Sequence, residues 1–230
     1  MKELLIVLAI AVMAAPAAGD YYIAGDFNGW NPSGNAMTDM GGGIWSATLQ
    51  LGPNERHEFK VTIGDWSENW PWSGNSWFYT DAAGVVTITY DTNTYADGWV
   101  KDSKRIGVNV DPGTWTAVGD WQGWNNANPA TAMAASGGGI YEYEQALAPG
   151  WYQYKAVKTG SWDAIGADAR SVNADTLWFE ATADKPLAHF FVNAVNGTIK
   201  VETTAIPEPS SLLALAMGIV PFGALLRRKR

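Results

Sequence analysis

From Ile44 to Leu51 apolar and polar residues alternate, with Trp45, Ala47, Leu49 and Leu51 on one face and Ser46, Thr48 and Gln50 on the other. A period of two is the signature of a half-buried strand. His57 to Ile63 repeats it, placing Phe59, Val61 and Ile63 inward and Glu58, Lys60 and Thr62 outward. Val86, Ile88 and Tyr90 form a further inward set, and Tyr152, Tyr154 and Ala156 alternate with Gln153 and Lys155. No long helical pattern occurs outside the two termini. Short strands broken by Gly, Asn, Asp and Pro turns, such as Asn196-Gly197, predict an all-β chain built as a β-sandwich.

The chain writes this pattern twice. GDFNGW at Gly25 to Trp30 returns as GDWQGW at Gly119 to Trp124, 94 residues later. GGGIW at Gly41 to Trp45 returns as GGGIY at Gly137 to Tyr141, EFKV at Glu58 to Val61 as QYKA at Gln153 to Ala156, and GDW at Gly64 to Trp66 as GSW at Gly160 to Trp162. Offsets that drift by a residue or two are what loop insertions between fixed elements produce in a duplicated unit. The predicted organisation is a first module over residues 19–100, a linker over 101–112 and a second module over 113–204, each folding separately. Within the linker, Ile106 to Val110 offers an edge strand as an alternative.

The ends read differently. Lys2, the apolar run Leu4 to Ala14 and the small residues Ala15 and Ala17 make residues 1–18 a secretory signal peptide. At the other end, residues 205–230 carry Pro207, Glu208 and Pro209, an apolar run from Leu212 to Leu226, and the basic cluster Arg227, Arg228, Lys229 and Arg230. This order resembles the PEP-CTERM sorting tail of exported bacterial proteins. The resemblance implies an exosortase and the secretion machinery as partners, a transient stay in the inner membrane through the short hydrophobic helix, and a cut at the motif that releases the protein to the cell surface or extracellular matrix. A run of this length spans only about 22 Å as a helix, against about 30 Å for a hydrocarbon core. A simple transmembrane anchor, with the basic cluster left cytoplasmic, is the alternative.

Composition narrows the function. There are no cysteines, so disulfides, thiolate metal ligands and thiol nucleophiles are excluded. The formal charge is −8, and removing both ends takes Lys and Arg from 15 to 10 and Asp and Glu from 23 to 21, leaving −11. With its basic residues scattered, such a chain is not a nucleic-acid binder. Thirteen tryptophans are the unusual feature.

GDFNGWNP, GIWSATLQLGPNERHEFKVTIGDW and SGNSWFYTDAAGVVTITYDTNT, in that order, resemble the immunoglobulin-like modules of pullulanases and starch-utilisation surface proteins, relatives of the glycogen-binding module. The likeness runs from Asp20 to about Trp99, and more loosely from Gly113 to Glu202. It implies two tandem immunoglobulin-like modules and a sugar site of Trp30, Lys60, Trp66 and Asn75 in the first, and of Trp124, Lys155 and Trp162 in the second, where Asn173 is the nearest candidate for the asparagine. Sugar rings carry C–H patches that stack on exposed indoles while ammonium and amide groups bond the hydroxyls. Lys60 and Lys155 fall at outward strand positions, as that role requires. The pattern places Trp45 and Trp178 in the core, whereas Trp66, Trp70 and Trp72 lie in polar, Pro-rich loop text that is hard to bury.

A glycosidase needs two carboxylates across a cleft, and here Asp26, Asp65 and Glu142 fall in turns or on outer strand faces. His57 and His189 are single and far apart, which suits neither a triad nor a metal site. Two readings follow. One is an exported, noncatalytic carbohydrate-binding protein without cofactor or metal, recognising an α-glucan or related exopolysaccharide. The other is a structural surface or matrix protein whose modules are spacers.

Overall fold

The computed structural model describes residues 18–100 and 105–207. All but the last residue of the signal peptide, Glu208 and Pro209 of the sorting motif, and the hydrophobic tail lie outside the described residues. Pro207 is exposed at their end. Among the described residues no helix is long and apolar enough to cross a membrane, and the helical elements are three short 3-10 turns in an otherwise all-β chain.

The first unit contains β1 (Ala18–Gly25), β2 (Asn35–Gly41), β3 (Ile44–Gln50), β4 (Arg56–Thr62), β5 (Asn69–Trp70), β6 (Ser76–Tyr79), β7 (Val85–Asp91) and β8 (Arg105–Val108). They form one sheet in the order β5-β4-β1-β2-β3-β7-β8, with β6 also paired to β4. β1 bonds both β2 and β4, so the sheet wraps over a core of Ile23, Met37, Leu49, Phe59, Phe78, Val86, Ile88 and Tyr90. Ile106 and Val108 of β8, inside the stretch 101–112, are buried in that same core.

The second unit contains β9 (Trp115–Gly119), β10 (Ala134–Gly137), β11 (Ile140–Ala146), β12 (Gly150–Lys158), β13 (Asp163–Ile165), β14 (Arg170–Val172), β15 (Leu177–Ala181), β16 (Leu187–Asn193) and β17 (Thr198–Thr204). One sheet runs β10-β11-β16-β17 and the other β14-β13-β12-β15, with β9 also on β12. Between them lie Trp115, Tyr154, Ala156, Ile165, Phe179, Phe190 and Val192. The units correspond strand for strand, except that β14 has no counterpart among the described residues of the first.

Most of the alternation holds, with three exceptions. β4 stops at Thr62, which is fully buried and donates its Oγ to the Pro32 carbonyl at 2.6 Å, while Ile63, expected inside, is 37% exposed. The strand ends where its last hydroxyl finds a partner, so the next side chain no longer follows the pleat. Trp70, expected in an exposed loop cluster, is 5% exposed because β5 pairs with β4 at Val61 and turns the indole into the first core. Trp178, expected in the core, lies 58% exposed on the outer face of β15.

The units interlock. Trp77 of β6 is fully buried in the core cluster of the second unit, 5.9 Å from Trp115, and its Nε1 donates to the Ala164 carbonyl at 2.9 Å. The Arg170 guanidinium lies 4.7 Å over the Trp77 ring. Arg56 reaches across to the buried Asp163 at 2.6 Å, and the Ser76 Oγ donates to the Arg170 carbonyl at 2.6 Å. At Gly197, whose φ of 72° favours glycine, a Cβ would sit 2.3 Å from the Ile106 carbonyl, so the β16–β17 turn approaches β8 closely only without a side chain.

Candidate functional site

Both copies of the glycine and tryptophan motif fold the same way. A Cβ on Gly25 would lie 2.4 Å from the Phe27 ring, and one on Gly119 would lie 1.8 Å from Trp121, so the first glycine of each motif is required by space. Asp26 accepts the Glu58 amide at 3.0 Å, as Asp120 accepts the Gln153 amide at 3.3 Å. These aspartates tie the turn to β4 and β12. Asn28 donates Nδ2 to the Ile23 carbonyl at 2.9 Å, and Gln122 donates Nε2 to the Ala117 carbonyl at 3.0 Å.

Each motif then ends in two residues in the left-handed region, Gly29 and Trp30 at φ 65° and 60°, Gly123 and Trp124 at φ 72° and 58°. For a tryptophan this conformation costs about 1–2 kcal/mol. Its presence in both copies marks Trp30 and Trp124 as held rather than accidental. Their amides close the turn on the Gly25 and Gly119 carbonyls at 2.8 and 3.0 Å.

In the second unit the expected residues meet. The Lys155 Nζ lies 5.5 Å from the Trp162 ring and 6.0 Å from the Trp124 ring, and donates to the Ala174 carbonyl at 2.9 Å. Both ring distances suit a cation–π contact. Trp124 packs beside a small cluster of Val118, Val157, Ala164 and Ala174, which seats its ring, while Trp162 is 38% exposed. Asn173, itself left-handed at φ 57°, is exposed and donates its amide to the Trp162 carbonyl at 3.0 Å. Lys155, expected at an outward strand position, is itself buried at 9% exposure because both rings lie near it, so the open Trp162 indole is the most accessible part of the cluster for a sugar.

The first unit is looser. Trp30 is half-buried, Trp66 is 43% exposed beyond β4, and Lys60 donates its Nζ to the Pro71 carbonyl at 2.6 Å. Asn75 does not point into open solvent. Its Nδ2 donates to Glu58 at 2.9 Å, and its backbone carbonyl accepts the Val172 amide at 2.9 Å, which places its main chain at the junction of the units. In the second unit the matching contact is Thr176 Oγ to Gln153 at 2.7 Å, a correspondence the sequence hides because threonine replaces asparagine.

Burial lowers the Lys155 ammonium below the ordinary lysine range, against the opposing pull of Asp168 and Asp175, and burial lowers Lys60 likewise. The unfolded lysines then hold protons that the folded ones have released, so stability rises with pH between the lowered values and the ordinary 10.5. Ligand affinity is expected to move oppositely, falling across that window as the ammonium donors are lost. Titrating melting temperature and affinity together checks both signs. A fall that begins only above the ordinary lysine range would overturn the involvement of Lys155.

Asp65 accepts from the amide and hydroxyl of Ser67 in a local turn, and Asp26 also accepts from the His57 ring Nδ1 at 2.8 Å. Among the described residues no group of three or more His, Cys, Asp and Glu side chains is placed to hold a metal ion.

Residues 112–191, the second unit without the end of β16 and without β17, match the family model described as the pullulanase X25 domain. Among solved structures the chain is similar to SusF from Bacteroides thetaiotaomicron, at 18% identity and a TM-score of 0.34 over 84% of this chain and 50% of that one. It is also similar to the pullulanase from Bacillus acidopullulyticus, at 12% identity and a TM-score of 0.28 over 81% of this chain and 29% of that one. The chain therefore spans half or less of the length of either. A search of curated proteins finds no match.

Proposed function

We propose that this is an exported, noncatalytic carbohydrate-binding protein that recognises an α-glucan or related exopolysaccharide through two tandem aromatic sites. The observation that carries the reading is the convergence of Trp124, Lys155 and Trp162 on one face of the second unit, with the lysine 5.5 and 6.0 Å from the two rings. The match of residues 112–191 to a pullulanase domain supports the same ligand class. Indoles present flat apolar surface at little entropic cost, and the lysine supplies hydroxyl-directed donors. The second unit keeps the better-formed site, because its lysine and both of its indoles converge.

Retention of the protein on insoluble starch and on a panel of glucans tests the reading. Binding to one polymer class that a soluble oligosaccharide of that class reverses is the expected result. No retention on any polymer would leave the interlocked units as a spacer in a surface or matrix assembly. The export route is part of the proposal, resting on the apolar segment at residues 1–18 and the Pro207-Glu208-Pro209 motif. Mass analysis of the surface fraction should find the chain cut near that motif, and Arg230 still attached would overturn the sorting step.

A further inference from the structure

The outer face of β12 and β15 carries two tryptophans that the site above does not use. Trp151 is 63% exposed and Trp178 is 58% exposed. Trp151 pairs with Glu180 and Gln153 with Trp178, so the indoles are diagonal neighbours on one sheet surface. Trp151, Gln153 and Lys155 alternate with the core-facing Tyr152, Tyr154 and Ala156, and therefore share the outward face. From Trp151 to Lys155 the strand advances about 13 Å. The strip thus leads directly into the Trp124, Lys155 and Trp162 cluster.

The duplication sharpens the point. In the first unit the position matching Trp178 is Trp77, opposite Glu58 as Trp178 is opposite Gln153. There the indole is fully buried, because β13 and β14 of the second unit cover it. Among the described residues, a second copy of the chain has no equivalent cover to offer Trp178. Its β13 and β14 are already occupied by its own β6, and its first unit has only the two-residue β5 at that place. What continuity favours instead is the ligand of the neighbouring site.

We infer that Trp151 and Trp178 form an additional subsite along which a glycan chain extends from the Trp124, Lys155 and Trp162 cluster, so that the second unit binds several consecutive sugar rings. The inference rests on the carbohydrate-binding reading. The rings stack on the two indoles, while the hydrogen-bonded Gln153 and Thr176 pair and the Glu180 carboxylate face the hydroxyls between them.

The test uses the full chain with Trp151→Ala and Trp178→Ala combined, and linear α-1,4- and β-linked gluco-oligosaccharides from disaccharide to heptasaccharide, measured by calorimetry. In the parent chain affinity should rise with oligosaccharide length. The double variant should lose roughly tenfold for the longest ligand, keep its affinity for the shortest, and melt as the parent does, since both indoles are mostly exposed. Length dependence that persists in the double variant would overturn the subsite while leaving the glycan reading intact. Absence of binding by the parent at every length and linkage would overturn both. Sedimentation of the same two proteins covers the rival occupant, because a self-association lost in the double variant would assign the face to a second copy and overturn the inference.

Discussion

Trp77→Ala is expected to destabilise the chain by roughly 3–5 kcal/mol, the range for truncating a fully buried large aromatic residue. The side chain leaves a cavity next to Trp115, removes the hydrogen bond to the Ala164 carbonyl, and strips the ring from beneath the buried Arg170 guanidinium. Burial lowers Arg170 to about 10, so the protein already bears the cost of holding this cation away from water, and losing its aromatic face adds to it. Trp77 belongs by sequence to the first unit and by packing to the second. Calorimetry is therefore the informative measurement. The complete motif sets by themselves predict two separately folding units, whereas a shared tryptophan predicts one cooperative transition that the substitution lowers and splits. A loss below about 0.5 kcal/mol, the level of an ordinary surface change, would mean that Trp77 does not join the cores.

The second large effect concerns binding. If both units grip one polymer, the second contact is intramolecular, and avidity exceeds either single affinity by about two to four powers of ten where the spacing fits. Trp162→Ala removes the open indole 5.5 Å from the Lys155 ammonium, and Trp66→Ala removes the exposed indole of the first unit. Either change alone should cost most of the avidity, and the two together should abolish retention on the polymer. Neither indole is buried, so melting should shift little: Trp162 is 38% and Trp66 43% exposed. Melting temperature and polymer affinity are measured on the same variants. Unchanged retention by a folded double variant would reject these two residues as the stacking platforms. A Trp66→Ala chain that binds as the parent does, beside a Trp162→Ala chain that does not, would assign the polymer to the second unit alone.

Alternation along the chain and the recurrence of GDFNGW as GDWQGW were enough to read an all-β chain with two related units. The period of two is dictated by the pleat, and the pleat acts within a single strand. Trp124, Lys155 and Trp162 were named together only through the resemblance to starch-binding modules, since no period or spacing within one strand links them. The turn closed by Gly119 and Trp124 is local, but Lys155, which alternates away from the core-facing Tyr154 and Ala156, is buried all the same at 9% exposure, because Trp124 and Trp162 from other segments pack near it. Which tryptophans are core was not legible. Trp70 stands in loop-like text yet is buried, and Trp178 stands in strand-like text yet is exposed. Trp77 and Trp178 occupy the same register position in the two units, and only the docking of β6 against β13 and β14 sends one inside and leaves the other open. Composition and period report what a single strand must do to bury one face. Whether its second face is covered depends on what packs there from elsewhere in the chain, so that was decided by tertiary structure alone.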